Sequence, residues 1–444
     1  MGKLSRDVYM VAGGVTKFAK AHPDRTFQIM VKEAFDNAVK DVPEFIYLKE
    51  KLSETHELGG VGSYFSDHFS RQLMAGIMAH EYIGLCPAPG VRVEGGGATG
   101  GLCIQEGIRA IASGDLELCV CYGFETMSRV PTWMGNYFIA KASDQRRNCD
   151  LGGFYSMFYA LMADKHMSEF GTSREQLAKI SIKNHTNALY NPYAQYPKKL
   201  KMEDVLNSEP IATPFTALDI CTMSDGAAVL ILASSDIASR LTDRPVKIIG
   251  MGAGTDNMAM EDRPKRKVPT FSHESANEEL VEYYDKLLYP DVHSFNAGRV
   301  AAKKAYMQAG ITDPLEELDF LEIHDAYTMS EAQTYEDLGL CPCGYSREFI
   351  DKGYTFMPDI DYGLELPEKG ELPVNPSGGL LACGHPIGAT GIMQAVFSLW
   401  QLQNKISEKF GDDTLQVRNA KRGGFHSHAG TGTYITLTLA EKAW

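Results

Sequence analysis

Short apolar runs rich in β-branched residues alternate along most of the chain with amphipathic segments of helix length, and this alternation restricts the fold to the α/β class. The pattern predicts strands near 8–12, 116–123, 246–250, 320–324 and 434–439, and helices near 26–39, 100–113, 173–189, 299–308 and 391–403. Buried strands joined by helical crossovers imply parallel or mixed sheets. The stretch from Thr132 to Asn207 breaks the rhythm: it is rich in Tyr, Met, His, Asn and Lys and has little strand character, as expected of a helical insertion or lid. Glu261 to Pro269, charged and holding two prolines, reads as a surface loop leading toward a second α/β half. With 444 residues there is chain enough for two or more domains and a cleft between them.

Composition narrows the partners. Lys and Arg number 43 against 57 Asp and Glu, a net charge of −14, which argues against affinity built on phosphate backbones or anionic lipid. Nucleic acid and membrane are therefore not expected as partners. Nine cysteines without a regular spacing do not describe a secreted disulfide scaffold, and a reducing cytoplasm fits them better. Neither an export signal nor an apolar run of about 18 residues is evident, so no membrane span is expected.

One short motif occurs twice. Gly97-Ala98-Thr99-Gly100 precedes a predicted helix in the first half of the chain and Gly388-Ala389-Thr390-Gly391 another in the second. Apolar residues follow at helical spacing in both, Ile104, Ile108 and Ile111 in one and Ile392, Val396 and Leu399 in the other. Small residues at a helix start allow close backbone approach and leave amides free for an anion. Duplication explains the pair better than chance.

Three segments carry candidate chemistry. His385 lies between Gly384 and Pro386 in the Gly-rich loop from Asn375 to Gly391, so backbone conformation rather than packing dictates its neighbours. His324-Asp325 closes an apolar strand, where α/β proteins collect ligands. His426-Ser427-His428 precedes Gly430-Thr431-Gly432 in what reads as a loop before the final strand, and a His-x-His pair alone does not make a zinc site, so no metal is expected. Cys383, two residues from His385, is a further candidate, as is Tyr345, in an aromatic stretch from Gly344 to Gly370 that could line an acyl pocket.

Together these segments resemble the thiolase superfamily, specifically the sterol-carrier-protein-type and archaeal thiolases and the thiolase-like aldolases. The resemblance spans nearly the whole chain and includes Gly14 to Phe18, Lys165 to Gln176, Lys183-Asn184-His185, Asn191-Pro192, Ser224 to Ala228, His324 to Tyr327, Tyr335 to Gly339 and the Asn375 to Gly391 loop. It implies a five-layer αβαβα core of two duplicated halves with a helical loop domain. Residues 1–288 would form the N-terminal half, with a CoA-covering insertion at about 130–235, and residues 289–444 the C-terminal half. It further implies a coenzyme A thioester as substrate, no bound cofactor, a homodimer and, on the side of the thiolase-like aldolases, a small OB-fold/zinc-ribbon partner subunit.

The resemblance assigns His385 and His324 to an enolate oxygen, since breaking or forming a C–C bond beside a thioester develops charge there. It gives acid/base work to His426, with His428 the alternative. Gly97 and Gly430 would offer backbone to an oxyanion, and Ser224, His166 and Lys265 would contact CoA. Where classical thiolases carry a nucleophilic Cys in a Cys-Ala-Ser-Gly stretch, this chain reads Gly97-Ala98-Thr99-Gly100. Without a thiol no acyl-cysteine forms. Three readings follow: retro-aldol cleavage of a β-hydroxyacyl-CoA, slightly favoured; thiolytic acyl transfer from a β-ketoacyl-CoA by an unusual mechanism; and a non-catalytic acyl-CoA-binding subunit.

Overall fold

The computed structural model describes residues 4–65 and 67–444. Nine strands form one mixed sheet: β1 (Val8–Val15), β2 (Leu58–Ser63), β3 (Gly90–Val93), β4 (Leu118–Thr126), β7 (Asp225–Ser234), β8 (Val246–Thr255), β9 (Phe320–Glu322), β10 (Arg422–Ala429) and β11 (Tyr434–Lys442). Their order is β3-β2-β4-β7-β1-β8-β11-β10-β9, and β5 (Pro210–Ala212) pairs separately with β6 (Phe215–Thr216). The helices that matter for the site are α1 (Phe27–Val39), α2 (Thr99–Ser113), α3 (Tyr155–Phe170), α4 (Arg174–Asn187), α5 (Asn296–Ala309), α6 (Thr328–Asp337) and α7 (Ile387–Leu402).

The sheet repeats itself. In the first half, β4 follows α2, lies parallel to β2 and turns back antiparallel into β7, which pairs with β1. In the second, β10 follows α7, lies parallel to β9 and turns back into β11, which pairs with β8. Within the sheet, Tyr9 and Met10 of β1 join the halves, opposite Lys247 and Val246. The strand Val246–Thr255 therefore belongs to the second half's sheet, although it lies before the sequence division at 288. Helix α1 covers β1 and β7 on one outer face and α5 covers β8 and β11 on the other, while α2 and α7 lie between and touch strands of both halves. The result is the five-layer αβαβα arrangement expected.

Close approach explains the glycines of β8. A Cβ at Gly250, Gly252 or Gly254 would fall 2.4, 1.9 or 2.1 Å from the carbonyl oxygens of Ala305, Ala301 and Ala297. Alternate strand residues rise about 6.8 Å and every fourth helix residue about 6.0 Å, so the two small-residue rows stay in step over three contacts. The middle layer is equally tight, with a Gly100 Cβ 2.8 Å from Gly391 Cα.

The predicted helices and strands all appear, with shifted ends. Sequence reading missed β2, β3, β7 and β10 of the large sheet and the short pair β5 and β6. Strand β2, Leu-Gly-Gly-Val-Gly-Ser, is glycine-rich because Leu116, His80 and Tyr122 fill the space beside Gly59, Gly60 and Gly62. The segment read as a loop around His426 and His428 is strand β10, where they face Leu437 and Ile435 of β11. No helix among the described residues is long and apolar enough to cross a membrane.

Candidate active site

A cavity of about 150 Å³ opens where the strand ends and middle-layer helices of both halves meet the helical segment 132–223, and Gly97, His324, His385, His428 and Gly430 line it. His324 follows β9, its backbone N–H donating to His426 Nδ1 at 3.3 Å. The His324 ring stands edge-on to His385 at 4.9 Å between centroids and stacks on His428 at 5.6 Å. The Nδ1 atoms of His324 and His428 are buried without a hydrogen-bond partner.

His385 is held by its surroundings at two points. Its N–H donates to Ser224 Oγ at 2.9 Å, and its Nδ1 lies 2.8 Å from Thr390 Oγ1. The Thr390 hydroxyl also lies 2.8 Å from the Pro386 carbonyl. The hydroxyl proton goes either to the Pro386 carbonyl, with Nδ1–H then donating to Thr390, or to Nδ1, so the direction of Thr390 sets which nitrogen of His385 carries hydrogen. When Thr390 donates to Nδ1, a neutral His385 presents Nε2–H to the cavity.

His426 and His428, two residues apart on β10, share one strand face. His428 reaches the cavity, and its Nε2 lies 2.8 Å from Tyr159 Oη, which lies 3.1 Å from the Gly430 carbonyl. His426 is not among the lining residues. Of the two candidates for acid/base work, His428, the alternative, lines the cavity, while His426 accepts the N–H of His324 from behind.

Buried acids anchor the loop that carries His385. Glu322 accepts from the Ser377 N–H at 3.1 Å and hydroxyl at 2.7 Å, and Asp325 accepts from the N–H groups of Leu380 and Leu381 at 2.6 and 3.3 Å. Asn184 of α4 donates to Asp325 and to Glu331 of α6, and Lys183 pairs with Glu331. Lys183, Glu331 and Asp325 are fully buried, so their positions are fixed by one another. Burial pushes Glu322 up to about 8.

All four site histidines are held neutral. Burial lowers His385 and His428 to about 3, and burial with the neighbouring imidazoles holds His324 and His426 well below the usual histidine range. Neutral rings can accept a proton or donate one N–H, the two capacities that enolate chemistry needs.

Gly97 sits between the histidines. A Cβ there would lie 2.3 Å from the His428 carbonyl oxygen and 3.1 Å from His324 Cε1, so strand β10 occupies the room of a side chain. Cys383 is buried off the cavity, its thiol donating to the Ser377 carbonyl and accepting from Asn191 at 3.2 Å each, and burial pushes it up. Cys103 packs under Val61 of β2. Cys221 does line the cavity, with its thiol also pushed up by burial and by Asp325.

Other expected site residues lie off the cavity. Tyr345 is a surface residue stacked edge-on against Tyr283, away from the cavity, and Phe349, Phe356 and Tyr362 are buried in core packing. His166 is buried, with both ring nitrogens engaged by Thr172 and Glu336 at 2.8 and 3.0 Å. Lys265 donates to the Pro290 carbonyl at 2.5 Å and pairs with Asp291. The aromatic wall comes instead from α3 and β9's end: Tyr155, Tyr159 and Tyr327, with Tyr159 and Tyr327 stacked at 4.2 Å. Tyr155 and Tyr159 are four residues apart in a segment marked only by its composition, and that helical spacing was the available signal. Away from the cavity, Glu169, Asp291 and His293 hold potential ligand atoms within 4.8 Å of one another, but Lys165 pairs with both carboxylates.

Comparison with known proteins agrees with this architecture. Residues 8–236 match the thiolase N-terminal domain and residues 282–441 the thiolase C-terminal domain-like family. An acetyl-CoA acetyltransferase of Methanothermobacter thermautotrophicus is 35% identical over 431 residues, 96% of this chain and 97% of that protein. Sterol carrier protein 2 of Oryctolagus cuniculus is 29% identical, over 97% of this chain and 71% of its own length. Among solved structures, the Ltp2-ChsH2(DUF35) aldolase superposes with a TM-score of 0.74 at 21% identity, covering 99% of this chain and 98% of that one. Human mitochondrial 3-ketoacyl-CoA thiolase in complex with CoA gives 0.65 at 17% identity, with both chains covered in full. Two family matches that together take in both halves of the sheet, with relatives aligned from end to end, make this chain a member of the thiolase family.

Proposed function

We propose that the chain is an acyl-CoA enzyme that cleaves or forms a C–C bond beside the thioester, by retro-aldol chemistry on a β-hydroxyacyl-CoA and without an acyl-enzyme. The observation that carries this reading is Gly97: the position the resemblance gives to the nucleophile has no thiol and no room for one, while the histidines around it are complete. His428 Nδ1, neutral and unpartnered, takes the β-hydroxyl proton. The β-carbon becomes a carbonyl as the Cα–Cβ bond breaks, and the electron pair passes to the thioester as an enolate. His385 Nε2–H and His324 receive the enolate oxygen, and the proton returns to Cα, giving an acyl-CoA and a free aldehyde or ketone. The lining is otherwise mostly apolar, which suits an acyl chain.

The names of the relatives favour a second reading, thiolytic cleavage of a β-ketoacyl-CoA with CoA itself attacking. Mass spectrometry of protein incubated with a β-hydroxyacyl-CoA and a β-ketoacyl-CoA separates the two. We expect release of a carbonyl product from the first and no acylated cysteine from either. An acyl group on Cys221 or Cys383 during turnover would replace the retro-aldol mechanism with a covalent thiolase one. Pure acyl-CoA binding is the weakest reading, because a binder has no use for unpaired imidazole nitrogens. Ser224 stays with the CoA side of the site through its bond to His385, and β3, an edge strand with Val91 exposed, is the proposed seam of a homodimer. The aldolase relative's second component makes co-purification the test for a partner subunit.

A further inference from the structure

We propose that Tyr155 is the receptor for the substrate's β-oxygen and so selects acyl-CoAs that carry a hydroxyl at that carbon. This rests on the retro-aldol reading but on different atoms. Tyr155 opens helix α3 and lines the cavity, and its hydroxyl oxygen is buried without a hydrogen-bond partner. Each neighbouring tyrosine hydroxyl is already engaged: Tyr159 with His428 and Gly430, Tyr327 with Ser156 at 3.4 Å. Burial raises Tyr155, so it stays a neutral donor.

The position fits the base. The Tyr155 hydroxyl lies 3.4 Å from the point a Gly430 Cβ would occupy, and the carbonyl of that glycine accepts from Tyr159 and lies 3.2 Å from His428 Nε2. Gly430 also lines the cavity and, as a glycine at φ +60°, puts no side chain beside the Tyr155 hydroxyl. A β-hydroxyl at this wall gives its proton to His428 Nδ1 and accepts from Tyr155 with a lone pair. As it turns into a carbonyl oxygen it still accepts from Tyr155, while the enolate oxygen is held across the cavity by His385 and His324. An acyl-CoA lacking the hydroxyl leaves the Tyr155 donor unpaired in a buried site, and such a mismatch disfavours the analogue.

The test is Tyr155→Phe, which removes one oxygen and keeps the ring. Calorimetry compares a β-hydroxyacyl-CoA with the saturated acyl-CoA of the same length, on wild type and variant, beside a thermal melt and a turnover assay. The wild type should bind the hydroxylated ligand at least tenfold more tightly, and the variant should bind both alike. The variant should also melt at the same temperature or higher, because an unpaired buried hydroxyl is gone, while turnover falls about a hundredfold. An unchanged binding ratio, or a variant that melts much lower, would overturn the assignment by showing that the hydroxyl is spent elsewhere in the fold. Wild-type protein that discriminates through Tyr155 yet cleaves no β-hydroxyacyl-CoA would keep the β-oxygen site and remove only the retro-aldol reading.

Discussion

The two helices that carry Gly-Ala-Thr-Gly began as copies and now do different work. Each glycine at the end of the motif meets the other helix's backbone: a Gly100 Cβ would lie 2.8 Å from Gly391 Cα, and a Gly391 Cβ 2.6 Å from Gly101 N. The crossing has been kept. The turns before the helices have not. In the first half the motif begins in the tight turn Gly96–Ala98, ahead of α2, whereas in the second it lies inside α7, which starts at Ile387. Three residues before the motif stand Glu94 in one copy and His385 in the other. Glu94 is exposed and accepts the Gly96 N–H at 2.6 Å, while His385 enters the cavity. Symmetry governs the packing, and asymmetry gives the chemistry.

The largest effect should come from this one position. His385→Ala removes a donor used only while the enolate exists and should lower turnover by about 10²–10³, on the order of 3–4 kcal/mol, with little change in melting temperature. Glu94→Ala should leave turnover unchanged. Steady-state kinetics of both variants decide the matter, and equal losses would mean that the two turns share the site.

Next come the crossing glycines, where the halves should respond alike. Gly100→Ala and Gly391→Ala each drive a methyl into backbone that cannot yield without separating the helices, and overpacking of this kind costs about 1–3 kcal/mol. Denaturant unfolding should give losses of similar size. A variant that loses nothing would show the inner helices to be more loosely packed than the middle layer described here.

How much of this comparison could be read from the sequence differs between its two sides. The repeated motif, the α/β class and the segments that bring His324 and His385 to the cavity were legible, because helix periodicity, the Gly-Ala-Thr-Gly motif and the Gly-Pro frame around His385 are local patterns. What failed depended on contacts between distant segments. Strand β10 was hidden because its glycines, fitted against Phe320 and Leu439, look like loop residues until the partner strands are known. That hid which of His426 and His428 reaches the cavity. The resemblance gave His166 to CoA, but its partner Glu336 lies 170 residues away. Tyr159 meets His428 and Gly430 269 and 271 residues further on. Gly97 was singled out by resemblance alone, and only the His428 carbonyl explains why the site is closed to a side chain.

A smaller effect probes the acids buried in opposite halves. Glu125 on β4 and Glu322 on β9 are both raised to about 8 from an ordinary value of 4.5, first by burial. Between pH 6.5 and 8 the folded chain keeps a proton that the unfolded chain has released. The contribution of each carboxyl therefore falls as pH rises, by about 1.4 kcal/mol per pH unit for each group. The lowered site histidines act in the opposite sense at the acid end of this window, where the unfolded imidazoles still bind protons near their ordinary value of 6.5, so each glutamate is read from the difference in slope between variant and wild type. Glu125→Gln and Glu322→Gln should each flatten the slope by one proton, measured as unfolding free energy at several pH values. A slope unchanged in one variant would locate the proton elsewhere in that half.

The smallest effects belong to the paired threonines, which separate structural from chemical use of the same residue. Thr99 donates to the Gly96 carbonyl and accepts the Gly95 N–H, at 2.5 and 3.0 Å, closing the turn that holds Gly97. Thr390 stands between the Pro386 carbonyl and His385 Nδ1. Thr99→Val should cost about 1 kcal/mol of stability, the net worth of its hydrogen bonds, with turnover little changed. Thr390→Val leaves the Pro386 carbonyl inside its helix turn but frees the His385 ring to take either tautomer. Only the Nε2–H form donates to the enolate oxygen, so turnover should fall about tenfold, equivalent to about 1.4 kcal/mol, at unchanged KM. Thr390→Ser restores the hydroxyl and should restore the rate. If Thr390→Val keeps full turnover, His385 is oriented by the Gly-Pro backbone and Ser224 alone, and the two threonines have remained as alike as the glycines beside them.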